Sequence, residues 1–144
     1  MNTSVNVSAP GVSANIKLVN VVEVAGRFLL SLLFLLSGFG KVTAYGATAA
    51  YMSASGVPSA LLPVVIATEL LGGLAIVLGW KTRVVAFLLA GFSLLTAITF
   101  HRNLADQTQM IMFFKNLSIA GGFLLLVANG AGPLSLDRRS AQKR

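Results

Sequence analysis

The chain has 144 residues, of which 56% are hydrophobic and only 10% charged. Soluble domains carry roughly 25% charged residues and about 45–50% apolar ones, so this composition excludes a water-facing surface over most of the molecule. The net charge is +7 and there is no cysteine. The basic residues cluster at the ends of apolar runs and no aromatic-interleaved basic patch is visible, so no nucleic-acid partner is expected. Disulfides, dithiol relays and iron–sulfur clusters are excluded. The length suits a single domain, with no room for a soluble catalytic domain beside it.

In chain order, residues 1–20 are polar and read as a disordered cytoplasmic tail. Residues 21–40 form the first apolar run, long enough to cross a bilayer. A signal peptide would begin with a short basic region, whereas this segment follows a long tail holding only Lys17. Residues 43–53 read as a short interfacial helix anchored by Tyr45 and Tyr51, broken by Ser55-Gly56-Val57-Pro58. The second span is 58–79, followed by the tight polar turn Trp80-Lys81-Thr82-Arg83. The third span is 84–100 and the fourth 110–128. Residues 131–144 read as a solvated basic tail.

The expected fold is therefore all-α, an integral membrane four-helix bundle covering 21–130. Orientation follows from lysine and arginine placement. With the N-terminus inside, Lys17, Lys81, Arg83, Arg138, Arg139, Lys143 and Arg144 are cytoplasmic, and only Lys41 and Arg102 lie in outer loops. Both termini are thus expected in the cytoplasm of a bacterial cell, with the chain in its inner membrane.

Ionisable residues inside apolar spans cost about 2.5–3.5 kcal/mol each on insertion scales and mark function by default. Here they are Glu23 and Arg27 in the first span, Glu69 in the second and Lys115 in the fourth, with Asn116 beside it. Measured from the outer helix ends at about 1.5 Å per residue, Arg27 lies roughly 20 Å deep, Glu69 roughly 16 Å and Lys115 about 8 Å. These depths let Glu69 meet Arg27 or Lys115, and Glu23 is spaced to pair with Arg27 at i,i+4. Arg27, Glu69, Lys115 and Asn116 form the expected polar cluster. It reads either as a network that fixes helix register or as a pocket for a headgroup, a quinone or a proton. His101, at the outer end of the third span, is read as an interfacial cap or an outer-edge donor beside a quinone ring. One histidine and no cysteine offer no metal site within the chain. Gly38, Gly40, Gly72, Gly73, Gly121 and Gly122 read as places where helices approach closely.

The order Gly26-Arg27-Phe28-Leu29-Leu30, Ser37-Gly38-Phe39-Gly40-Lys41, Glu69-Leu70-Leu71-Gly72-Gly73, Thr82-Arg83, Phe114-Lys115-Asn116-Leu117 and Ser135-Leu136-Asp137 resembles the DoxX family of small bacterial membrane proteins. The resemblance implies a four-helix bundle in the inner membrane and places the family's charged positions at Arg27, Glu69, Arg83 and Lys115. It also implies a link to redox complexes, such as a thiosulfate:quinone oxidoreductase or an assembly with superoxide dismutase and a sulfurtransferase.

Three functions are compatible with these readings. The first is a quinone-interacting membrane subunit of a redox complex with soluble partners. The second is a scaffold that recruits soluble proteins to the bilayer. The third is a small proton-coupled transporter built as an oligomer. Any catalysis is expected to depend on a partner or a bound quinone, because no nucleophile–base pair or cofactor fingerprint is present.

Overall fold

The computed structural model describes residues 10–143, with side chains from Asn15 on. Among these residues every regular element is helical: α1 (Pro10–Thr43), α2 (Tyr45–Ala54), a single 3₁₀ turn (Ser59–Leu61), α3 (Leu62–Leu78), α4 (Thr82–Phe100), α5 (Gln107–Asn129) and α6 (Leu136–Ala141). Four of them, α1, α3, α4 and α5, are long and apolar enough to cross a membrane. In a bilayer only a helix or a closed barrel satisfies the backbone, and these sequences supply the helices.

Two boundaries differ from the sequence reading. Residues 10–20 were expected in a disordered tail but are helical; residues 1–9 of that tail lie outside the described residues. Pro10 stands at the helix start, where its missing N–H costs nothing. Once the apolar span is helical, adding Ile16, Leu18 and Val19 on its N-terminal side needs no new nucleus. Residues 131–143 were expected to be solvated tail. Instead the chain turns back at Gly130 and Gly132 and forms α6, whose N-cap Ser135 Oγ accepts from the Arg138 amide at 3.2 Å.

The four long helices run up and down, so both ends of the described chain and the α3–α4 turn share one face, called here the terminal face. The α1–α2–α3 connection and the α4–α5 loop share the opposite, or loop, face. The closest pairings are α1 with α3 and α4 with α5. Between lipid-facing helices, packing rather than water exclusion drives association, and small residues make it close. A Cβ on Gly38 would press into Leu70, and one on Gly73 would press into Leu35 and Phe34. Gly72 and Gly122 likewise meet Leu89 and Leu30, whereas Gly40 and Gly121 face open space.

The buried core comprises Phe34, Ile76, Ala86, Leu89, Ala90, Ala120 and Phe123. Phe34 meets Phe123 edge to face at 5.4 Å, an arrangement worth about 0.5–1.5 kcal/mol beyond its area. At the loop face Asp106 caps α5 by accepting from the Gln109 amide at 2.8 Å. Tyr51 of α2 stacks on Phe100 of α4 at 5.5 Å, tying the short helix over the bundle.

Candidate functional site

The polar residues separate into two groups, one at each face. At the terminal face, α3 ends in a left-handed Gly79 (φ 66°), with the Trp80 amide donating back to Ala75 O at 2.9 Å. A helix end still leaves carbonyls without partners. Arg27, 2% exposed, serves this end, donating to Val77 O at 3.2 Å, to Ile76 O at 3.4 Å beside the Gly79 amide, and also to Leu134 O at 2.6 Å. The cation at a helix C-terminus also matches the helix dipole. Arg83 does the same for α5, donating to Val127 O at 3.1 Å.

Asp137 completes this latch. Its carboxylate accepts from the Lys81 amide at 2.7 Å and the Thr82 amide at 2.8 Å, and its own amide donates to Gly79 O at 2.9 Å. The start of α4 is thereby capped from the far end of the chain. Burial pushes the Asp137 carboxyl up, but the hydrogen bonds from Thr82 and Lys81, with the nearby Arg27 charge, outweigh it and hold the group below its usual range. Glu23 lies against Gly132. Glu23 Oε2 and Arg27 Nε find no partner among the described residues.

At the loop face a cavity of about 480 Å³ opens among α1, α2, α3, α4 and α5. Its walls are mostly apolar, including Phe34, Met52, Val65 and Phe92. Its polar lining gathers Ser37, Lys41, Glu69, His101, Lys115 and Asn116. Glu69, 5% exposed, pairs with Lys41 Nζ at 2.8 Å. Ser37 Oγ donates to the same carboxylate oxygen at 3.2 Å and accepts from Lys41 Nζ at 2.6 Å. Glu69 Oε2 is buried without a partner among the described residues. His101 Nδ1 faces Gln109 Oε1 at 2.9 Å, leaving Nε2 as its remaining polar atom. Asn116 Nδ2 donates to Met112 O at 3.1 Å, and Lys115 Nζ touches Met112 Sδ at 3.1 Å.

Of the five expected residues, Glu69, Lys115, Asn116 and His101 line this one cavity, and Arg27 does not. The expected Arg27–Glu69 contact is corrected by the register. Gly38 sits against Leu70 and Glu69, and Gly73 against Phe34 and Leu35, which leaves Arg27 level with the end of α3. The depth estimate took Gly40 and Pro58 as the same level, but α1 continues to Thr43 and the chain climbs further through α2 before Pro58. Glu23 and Arg27 form no direct ion pair; among the described residues that contact belongs to Lys41 and Glu69 alone. Sequence reasoning missed Lys41 and Ser37 by assigning Lys41 to a loop. The available signal was their i,i+4 spacing with no proline before Thr43.

A bundle of four bilayer-length helices around a polar-lined cavity defines a small multi-pass membrane protein. The DoxX family model matches residues 23–102, and the chain belongs to the DoxX family of inner membrane proteins. It is 50% identical over 122 residues to inner membrane protein YqjF of Escherichia coli strain K12, covering 85% of this chain and 94% of that protein. It is 39% identical over 127 residues to inner membrane protein YphA of the same organism, covering 83% of this chain and 90% of that one. No solved structure matches.

Proposed function

We propose that the protein is a quinone-binding membrane subunit of a redox complex, with the loop-face cavity as its quinone site. The observation that carries this reading is the composition of the cavity wall. An apolar slot of about 480 Å³ lies within the roughly 300–1,000 Å³ range of small-molecule sites. Its polar groups come from α1, α3, α4 and α5. A quinone asks for donors toward its ring oxygens, and its reduced form asks for acceptors. Lys41 and Asn116 offer N–H donors, while Glu69 offers a buried oxygen with no partner among the described residues. When bound, a quinone supplies two-electron, two-proton carrier chemistry. Lys41, His101 and Asn116 would hold its ring, and Glu69 is the carboxylate placed to accept or return a proton.

The family resemblance supplies the redox context, and soluble redox proteins are the proposed partners. Lysine and arginine placement argues for termini in the cytoplasm. The terminal face would then present the exposed Lys81, Arg83, Arg138 and Arg139 to acidic partners.

The test is a lipid-soluble inventory of the gently purified protein, wild type beside Glu69→Gln. The reading predicts stoichiometric quinone in the wild type and its loss from the variant. No quinone in either preparation, together with no saturable binding of added quinone, overturns it.

A further inference from the structure

Lys115 is a charge within a membrane span that the bundle leaves without a carboxylate among the described residues. It is the ninth residue of α5, roughly 12 Å from that helix's start at 1.5 Å per residue. It is exposed on the outside of the bundle and at the same time lines the cavity. Among the described residues it has no carboxylate partner: its ammonium touches Met112 Sδ, a weak acceptor. The other charges of the cavity, Lys41 and Glu69, neutralise one another at 2.8 Å. The cavity therefore carries a net charge of one, contributed by Lys115.

A lone cation at this depth calls for a counter-charge, because the hydrocarbon offers neither water nor free salt. Its placement says where that counter-charge enters. Leu33 of α1 is also both exposed and part of the cavity lining. The α1–α5 contact is far slighter than that of α1 with α3 or α4 with α5; it lies deeper, at Leu30 with Gly122 and Phe34 with Phe123. Leu61 and Leu95 are likewise exposed and part of the lining, so the α1–α5 seam is one of the sides on which the cavity meets lipid, and it is the side where a charge, Lys115, stands.

We propose that the cavity takes an apolar ligand bearing one acidic group, admitted from the lipid between α1 and α5 and held as its anion by Lys115. This deepens the quinone reading, on which it rests for the ring: the favoured quinone is one with an ionised hydroxyl. The rest of the site agrees. Glu69, the one acid in the lining, has its Oε1 engaged by Lys41 and Ser37, and the Lys41 charge at 2.8 Å offsets it toward an incoming anion.

The test uses the full chain in nanodiscs of neutral lipid, wild type and Lys115→Met, titrated with two probes by fluorescence quenching. One is 2-hydroxy-1,4-naphthoquinone, an anion at neutral pH; the other is the parent 1,4-naphthoquinone, which is neutral. The wild type is expected to bind the anion roughly tenfold or more tightly than the parent. Lys115→Met is expected to abolish that preference while leaving the parent's Kd within about twofold, which also shows that the variant is folded. Equal affinities in the wild type, or a preference that survives in Lys115→Met, overturns the proposal while leaving the quinone reading standing. If neither naphthoquinone binds, the quinone reading fails, and oleate against oleyl alcohol decides the charge inference. Oleate binding that depends on Lys115 supports it, and indifference to Lys115 overturns it, leaving Lys115 to lipid phosphates.

Discussion

The two faces of this bundle spend their polar residues differently. At the terminal face Arg27, Arg83 and Asp137 bond to backbone: each takes up a carbonyl or amides that a helix end leaves open. None of the three lines the loop-face cavity. At the loop face Glu69, Lys41 and Ser37 bond to one another and leave a carboxylate oxygen unpartnered beside a large apolar cavity. Both faces contain buried charges, so a buried charge alone does not distinguish a fastener from a site. What distinguishes them is the partner: helix-end backbone at one face, other side chains around a space at the other.

That contrast can be broken by mutation. The largest effect is expected at the loop face. Lys41→Met strands the Glu69 carboxylate and should cost about 3–5 kcal/mol, whereas Lys41→Met combined with Glu69→Leu should recover most of it. Unfolding by sodium dodecyl sulfate would read both, and equal instability of the single and double variants would show that the pair is not an isolated unit. Arg27→Met should cost about 3 kcal/mol by stripping charged hydrogen bonds from three carbonyls. It should leave quinone affinity unchanged, and a parallel loss of quinone binding would erase the distinction between the faces.

Smaller effects sharpen it. Gly79→Ala forces a side chain into a left-handed residue and against the Arg27 guanidinium, which should cost about 2 kcal/mol and lower the thermal midpoint. Asp137→Asn weakens the cap on α4 and should cost about 1 kcal/mol. The Asp137 carboxyl is held below its usual range in the folded chain. Its stabilisation is therefore full above the unfolded value of about 3.9 and is lost as pH falls through the folded one. The wild-type midpoint should drop toward that of Asp137→Asn on acidification, and a constant gap between them at all pH values would remove Asp137 from the latch.

Much of the fold was legible because bilayer-length apolar runs have few alternatives. Glu69, Lys115 and Asn116 stood out as polar groups in those runs, and His101 as the single histidine at a span end. The register was not legible. It depends on where Gly38 and Gly73 lock α1 against α3, and a helix end cannot be fixed by hydropathy when α1 runs a turn past Gly40 through Lys41. The sequence therefore offers Arg27 and Lys115 as partners of Glu69, whereas Arg27 belongs to the end of α3 and Glu69 pairs with Lys41. Nor was the return of the chain at Gly132 visible, because Asp137 acts through amides 55 and 56 residues earlier. A local reading sees only a basic tail.

The most direct test of the central claim is photolabelling with an azidoquinone in native membranes, with the labelled residues located by mass spectrometry. Label concentrated on Ser37–Lys41, Phe92–His101 and Lys115–Asn116, and competed by unmodified quinone, is the result predicted for a site at the loop face. Label spread evenly over the lipid-facing helices, or gathered near Arg27 and Gly79 at the terminal face, would contradict it.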